Sequence, residues 1–101
     1  MKLPIALVAV RKVSSTSTEI FPSEEIEAVA QLILEVQGVI NPLIVRRTGL
    51  DTFEVVEGEF TLQAARKARE INPLKGEVIQ AIILDPQNEE AIMKQIRLLR
   101  R

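Results

Sequence analysis

The chain has 101 residues, of which 47% are hydrophobic and 27% charged, and a formal net charge of −1 at neutral pH; these values fit one globular domain over residues 1–101 with a single modest core. It contains no cysteine and no histidine, which excludes disulfides, thiol nucleophiles and cysteine-rich metal centres and leaves Asp, Glu or Lys as general bases. Trp and Tyr are also absent, so the sequence gives little support to a base-stacking surface for single-stranded nucleic acid.

The first part of the chain predicts a strand, a loop and a helix. The aliphatic run from Leu3 to Val10 is typical of a buried central strand, and the polar segment from Ser14 to Thr18 is typical of a loop. Ser23 is a suitable N-cap because two glutamates follow it, and Gly38 is a natural stop. The expected inner face of this helix is apolar at helical spacing: Ile26, Val29, Ala30, Ile33, and Val36 or Gln37.

A β-hairpin and a second helix are predicted next. Leu43–Arg47 and Thr52–Val56 are rich in β-forming residues and flank the polar turn 48–51. The second strand turns through Gly58 into a helix that Asn72-Pro73 ends. Small residues dominate the predicted inner face of that helix, which would let it lie close to a sheet: Ala64, Ala65, Ala68 and Ile71.

The last part of the chain predicts a strand and a helix. Glu77–Leu84 is a further apolar strand, Asp85-Pro86 forms a turn, and Gln87–Arg100 is a helix. The predicted order is therefore β-α-β-β-α-β-α, which describes a small mixed-sheet α/β (α+β) domain. The apolar side of the last helix carries Ile92, Ile96 and Leu99.

Gly58 is the most informative position of the chain. A strand that ends at a glycine and opens directly into a helix leaves several backbone N–H groups pointing at one place, which favours an anion. The alternative is that Gly58 makes only a tight turn and that Glu59 complements the helix dipole.

The order and spacing of these segments resemble the N-terminal domain of ParB, the plasmid and chromosome partition protein. The resemblance rests on Gly-Val-Ile-Asn-Pro-Leu-Ile-Val-Arg at 38–46, on the hairpin, and on Val-Val-Glu-Gly-Glu at 55–59 before an Ala-Ala-containing helix. It covers most of the chain. It implies the fold that ParB shares with sulfiredoxin and with ParB-like nucleases. It also implies binding and hydrolysis of CTP with Mg²⁺ in partition proteins, and DNA cleavage in some relatives.

The sequence departs from the family pattern where the family contacts nucleotide. The family motif Gly-Glu-Arg-Arg, one variable residue, then Arg-Ala retains Gly58, Glu59 and Ala64, but its three arginine positions hold Phe60, Thr61 and Gln63. Arginines there would clamp a triphosphate through charge-assisted bonds. The family's Gln-Pro pair is Asn41-Pro42, a Glu-Asn motif falls on Leu98 and Leu99, and the sulfiredoxin cysteine is absent. The resemblance therefore implies a degenerate nucleotide site.

Two sets of candidate site residues follow. Glu57 and Glu59 are the candidate catalytic residues, as holders of a divalent metal in a nuclease, although no resident metal site is predicted. Arg46 and Arg47 point to opposite faces of their strand, so at most one of them can reach the site. Phe60 is expected to seal a pocket or to stack on a base. The candidate nucleotide-binding or phosphate-binding residues are Asn41, Pro42, Arg46, Gly58, Glu59, Thr61, Gln63 and Arg66.

Three functions remain open. The leading hypothesis is a ParB-like, nucleic-acid-associated binding or assembly module with a degenerate nucleotide site. The enzyme alternative is a divergent metal-dependent nuclease or nucleotide hydrolase. The third is a protein-interaction module that dimerises through the C-terminal helix.

The expected partners follow from these hypotheses. They are DNA, a second copy of the chain, or a downstream domain contacted by the last helix, whose basic stripe comprises Lys94, Arg97, Arg100 and Arg101. No apolar run reaches the roughly 20 residues that a membrane-spanning helix needs, so no membrane partner is expected. The absence of cysteine fits a reducing compartment, and the expected location is the cytoplasm.

Overall fold

The computed structural model of the protein describes residues 3–99. The first elements of the described residues are strand β1 (Ala6–Ala9), a 3-10 turn (Val10–Lys12) and a short strand β2 (Val13–Ser14). Helix α1 (Ser23–Val36) follows, then the hairpin of β3 (Leu43–Arg47) and β4 (Phe53–Glu57), helix α2 (Glu59–Ile71), strand β5 (Val78–Leu84) and helix α3 (Glu89–Leu99).

The five strands form one mixed sheet in the order β1-β5-β3-β4-β2. β1 is antiparallel to β5, β5 is parallel to β3, β3 is antiparallel to β4, and β4 is parallel to β2. The β3–β4 register shifts between Ile44 and Val45, which pair with Glu57 and Val55. Val56 is therefore the extra residue of a β-bulge, a feature that bends a strand and increases its twist. The predicted small mixed-sheet α/β fold is confirmed.

The helices cover both faces of the sheet. On one face, Leu62 and Ala65 of α2 pack against Leu43, Val45 and other strand residues. On the opposite face, Ile92 of α3 packs against Ile44 and Leu84. Leu43 and Val45 of β3 therefore face α2, and Ile44 between them faces α3, as expected for a strand that is buried on both faces.

Helix α1 packs on α2. Ala30 and Ile33 of α1 meet Ala64 and Ala68 of α2 in a separate buried cluster. The small residues of α2 therefore allow close packing against α1, through Ala64 and Ala68, as well as against the sheet, through Ala65. Three positions predicted to face inward have substantial exposure, and all lie in the last turn of a helix: Val36, Ile71 and Leu99.

The prediction of a central strand from Leu3 to Val10 is wrong. The chain forms a strand only at Ala6–Ala9, where it lies at the sheet edge, and Ile5 and Leu7 remain 59% and 66% exposed. At Val10 it turns and then enters the opposite edge as β2. A short aliphatic run has the same appearance in edge and central strands, so the sequence pattern could not separate them.

The two predicted helix starts differ in outcome. Ser23 is the first residue of α1 and not its N-cap, which is Pro22. The start of α2 directly after Gly58 is as predicted. No helix within residues 3–99 has the length and apolarity that crossing a bilayer requires.

Candidate functional site

The change of direction at Gly58 is present in the structure. Gly58 is the N-cap of α2, between the last residue of β4 and the first of α2, with φ 111° and ψ 36°. Residues with a side chain rarely adopt such a conformation. A Cβ atom at this position would lie 2.9 Å from Cδ2 of the buried Leu43, so the turn also depends on close approach to the core.

A cleft of about 700 Å³ lies at this turn. Its lining comes from three segments that are separated in sequence: the loop of residues 15–21 (hereafter the strap), the residues before β3, and the continuous segment from the end of β4 to the first turn of α2. The lining residues are Ser15, Thr16, Ser17, Glu19, Phe21, Asn41, Pro42, Val55, Val56, Glu57, Gly58, Glu59, Phe60 and Thr61.

The strap is attached to α2 by three side chains of that helix. The Ser15 hydroxyl donates a hydrogen bond to Oε2 of Glu59. Nε2 of Gln63 donates to the carbonyl oxygen of Glu19 at 3.1 Å. The rings of Phe21 and Phe60 meet edge to face, with centroids 5.1 Å apart, a favoured aromatic arrangement. Two of these three helix residues, Phe60 and Gln63, occupy arginine positions of the family motif.

Most of the residues predicted for the site do line the cleft: Asn41, Pro42, Glu57, Gly58, Glu59 and Thr61. Gln63 is absent from the lining and binds the strap backbone instead. Phe60 packs on Phe21 at the cleft wall, and its role in sealing the pocket or stacking on a base stays a prediction.

Two predicted phosphate-binding arginines lie elsewhere. Nη2 of Arg46 is 3.2 Å from Oε1 of Glu89 on α3, on the sheet face opposite to α2. Nη2 of Arg66 donates to the carbonyl oxygen of Val13 at 3.0 Å, beside a different groove. Strand alternation explains the first placement, and helical spacing explains the second, because Arg66 lies nearly two turns beyond the start of α2.

The charge in the cleft is negative. Three carboxylates line it, those of Glu19, Glu57 and Glu59, and no lysine or arginine of residues 3–99 does. Across the same residues, no group of three or more His, Cys, Asp and Glu side chains is placed to hold a metal ion. A polyphosphate entering this cleft would meet like charge, and none of the described lining residues carries a positive charge.

The contribution of the strap was missed by sequence reasoning, which predicted only a loop. The parallel pairing of β2 with β4 places Val13 opposite Phe53 and Ser14 opposite Glu54. That pairing brings the strap to the start of α2. A two-residue strand has almost no sequence signal, although the run of Ser and Thr after it could have suggested side-chain hydrogen bonding to a nearby helix.

A sequence match along nearly the whole chain identifies the family of this protein. The sequence pattern described as ParB N-terminal domain matches residues 2–97. The chain belongs to this family. No curated protein sequence matches it. The ParB N-terminal domain assignment therefore rests on the family pattern and on the fold.

Solved structures show the same fold at low sequence identity. ParB from Caulobacter crescentus complexed with CTP-γ-S is 20% identical, with a TM-score of 0.57, and the match covers 97% of this chain and 54% of that one. Sulfiredoxin from Arabidopsis thaliana is 15% identical, with a TM-score of 0.62 and coverages of 81% and 85%. A free serine kinase in complex with AMP is 19% identical, with a TM-score of 0.58 and coverages of 84% and 32%. The chain thus spans about half the length of the ParB chain it matches.

Proposed function

We propose that this ParB N-terminal domain acts as a nucleic-acid-associated binding or assembly module whose nucleotide site is degenerate. The proposal rests on one observation about helix α2. Phe60 and Gln63 occupy arginine positions of the family motif, and both bind the strap of the same chain. Support for nucleic-acid association comes from the relative, since Caulobacter ParB has been solved with CTP-γ-S and with the centromeric parS site. The exposed Leu98 and Leu99 of α3 support the assembly part of the proposal. A measurement of molecular mass in solution tests whether the protein assembles.

The energy of the missing contacts argues against firm binding of a triphosphate. A hydrogen bond to a charged group contributes about 1.5–3 kcal/mol, so three missing arginines remove several kcal/mol. Each 1.4 kcal/mol is about a factor of ten in affinity. The cleft adds three carboxylates, which oppose an anion further. The three missing arginines are therefore expected to weaken triphosphate binding by about a thousandfold or more.

Uncharged polar groups fit the cleft better. The hydroxyls of Ser15 and Thr61 and the amide of Asn41 line it beside the carboxylates. Such groups can donate hydrogen bonds to ribose hydroxyls and base edges and accept hydrogen bonds from them, and no counter-charge is needed. A nucleoside is therefore a better match to this cleft than a nucleoside triphosphate.

Thermal denaturation with CTP and Mg²⁺ tests the proposal. With 1 mM CTP and a dissociation constant above 1 mM, ligand stabilisation stays below about 0.4 kcal/mol. The melting temperature is then expected to rise by less than about 3 °C. A rise of 10 °C would overturn the degenerate-site proposal.

The Thr61→Arg variant adds to this test a protein in which CTP binding is expected to increase. It places one guanidinium at the cleft, and we expect CTP affinity to increase by roughly tenfold, the value of one charged hydrogen bond. The matched control is Thr48→Arg, the same change at the hairpin turn, where Thr48 lines none of the cleft. An equal gain in both variants would indicate only the change in net charge.

The nuclease or nucleotide hydrolase remains a second candidate because both Glu57 and Glu59 line the cleft. Two carboxylates supply few of the six or more oxygens that Mg²⁺ or Ca²⁺ requires, and water or substrate would have to supply the rest. We expect supercoiled plasmid incubated with Mg²⁺ or Mn²⁺ to remain intact. Cleavage by the native protein that Glu59→Ala abolishes would favour the enzyme, whereas equal cleavage by both would show that the activity comes from elsewhere or from a contaminant.

A further inference from the structure

Three arginines from two parts of the chain line a groove separate from the cleft. The groove has a volume of about 380 Å³ and is lined by Val10, Arg11, Val13, Arg66, Arg69 and Glu70. None of these residues lines the cleft at Gly58. Arg11 comes from the 3-10 turn, whereas Arg66 and Arg69 come from α2.

The backbone that carries the three arginines is well anchored. Val10, next to Arg11, is 2% exposed and belongs to the same core cluster as Leu62 and Ala65 of α2. Its N–H group also donates to the carbonyl oxygen of Glu77 at 3.0 Å. Arg66 and Arg69 are three residues apart on α2 and therefore share one face of that helix. The groove is thus built on rigid elements and not on a loose surface loop.

The positive charge of the groove is not neutralised within the described residues. Arg11 and Arg69 form no ion pair with any other residue of 3–99, and Arg66 binds only the neutral carbonyl of Val13. The single acid of the groove is Glu70, and its Oε1 atom lies 3.6 Å from Nζ of Lys67. Like charges close together on a helix are destabilising by themselves, so a bound anion would relieve repulsion that the protein leaves in place.

We infer that this groove binds phosphate groups through the guanidinium groups of Arg11, Arg66 and Arg69. Guanidinium presents a planar set of donors that matches phosphate oxygens in pairs. The single hydrogen bond from Arg66 to Val13 leaves the other guanidinium donors for a ligand. The groove volume of about 380 Å³ is larger than that of one phosphate group. Adjacent phosphates of one ligand therefore fit.

The phosphate can come from two sources, a nucleic-acid backbone or a small phosphorylated molecule. The inference does not depend on the proposed function of the cleft, because the two sites share no residue. Titration of the native protein with inorganic phosphate, followed by NMR of the arginine Nε–H signals, tests the shared chemistry. We expect saturable shifts of the Arg11, Arg66 and Arg69 signals, with no such shifts when sodium chloride is added to the same ionic strength.

A double substitution, R11Q/R69Q, provides the variant for this test. Both side chains are exposed, so the fold is expected to persist, and the backbone NMR spectrum verifies it. The matched control is R47Q/K75Q, which also removes two positive charges from exposed side chains, neither of which lines the groove or the cleft. If the phosphate-induced shifts are absent in the native protein, or persist unchanged in R11Q/R69Q, the inference is overturned.

Fluorescence anisotropy with a labelled DNA duplex of arbitrary sequence separates the two sources. For a nucleic-acid source, R11Q/R69Q should weaken binding by roughly tenfold at low salt and reduce the slope of log K against log salt by about 2. The R47Q/K75Q control should change both quantities much less. If phosphate shifts occur but the two double variants bind DNA equally, the groove is assigned to a small phosphorylated ligand.

Discussion

Gly76→Ala is expected to destabilise the protein by at least about 3 kcal/mol, at or beyond the upper end of typical overpacking. A Cβ atom at Gly76 would lie 2.6 Å from both the backbone N and the Cα of Arg69, and 2.8 Å from the carbonyl carbon of Ala68. These are backbone atoms in the last part of α2, and Ala68 is fully buried. The helix end would have to move away from the 72–76 turn, which is closed by a hydrogen bond from Gly76 N–H to the Asn72 carbonyl at 2.9 Å.

Urea denaturation of the native and Gly76→Ala chains measures this effect. Gly38→Ala is the matched control, since its added Cβ would lie 2.6 Å from Nε2 of Gln80, the end of a flexible side chain. That side chain can rotate away at the expense of its hydrogen bond to Val39 N–H, a loss of about 1 kcal/mol. If both variants lose the same free energy of unfolding, the close approach at Gly76 is not a determinant of stability.

Gly58→Ala is expected to lower the free energy of unfolding by about 2–3 kcal/mol, in the upper range for a residue forced into a sparsely populated backbone conformation. The backbone at φ 111° disfavours a side chain, and the contact with Leu43 Cδ2 at 2.9 Å adds a steric penalty. Leu43 is fully buried, so it has little room to yield. The melting temperature should fall by roughly 10 °C or more, taking about 4–8 °C per kcal/mol for a domain of this size.

Gly49→Ala is the control for Gly58→Ala. Its added Cβ would meet only the side chain of Thr52, with Oγ1 at 2.6 Å, in the exposed hairpin turn. Calorimetry of both variants should therefore separate a large change at Gly58 from one below about 1 kcal/mol at Gly49, typical of an exposed turn. A small change at Gly58 would mean that the backbone can pass from β4 to α2 in another conformation.

The placement of Phe60 and Gln63 changes what the start of α2 does. In the family pattern, arginines at these positions would contact a ligand, whereas here the side chains bind residues 19 and 21 of the same chain. The strap is thereby fixed at the wall of the cleft without a nucleotide. The free energy that arginines would contribute to ligand binding is replaced by contacts within the folded protein. This is the physical reason for proposing binding or assembly in place of nucleotide turnover.

Much of the fold could be predicted from local pattern. The hairpin strand Leu43–Arg47 was predicted with its observed bounds, and the pivot at Gly58 followed from a strand pattern ending at glycine before a helix pattern. The end of α2 at Asn72-Pro73 follows from the proline, which disfavours helical conformation in the residue before it. Each of these features depends on residues within a few positions of one another.

The candidate site could be predicted only in part. Four of the predicted residues are close together in sequence and line the cleft because the chain turns from β4 into α2 at that point: Glu57, Gly58, Glu59 and Thr61. The strap could not be placed there, because its bonds to α2 join residues 44 positions apart. Strand alternation and helical spacing could have indicated that Arg46 and Arg66 lie away from the cleft, but their partners, Glu89 of α3 and the carbonyl of Val13 in β2, depend on tertiary packing.

The sequence by itself determined the order of helices and strands, the turn at Gly58 and the absence of the family's arginine clamp, because these depend on periodicity, backbone preference and residue identity. The tertiary structure decided that the first aliphatic run forms one edge strand and that the residues just after it form the opposite edge strand. It also decided that the strap closes one side of the cleft and that Arg11 joins Arg66 and Arg69 in a second groove. These features require contacts between distant segments, whose energy depends on the packing of the whole domain and leaves no signal in any short stretch of sequence.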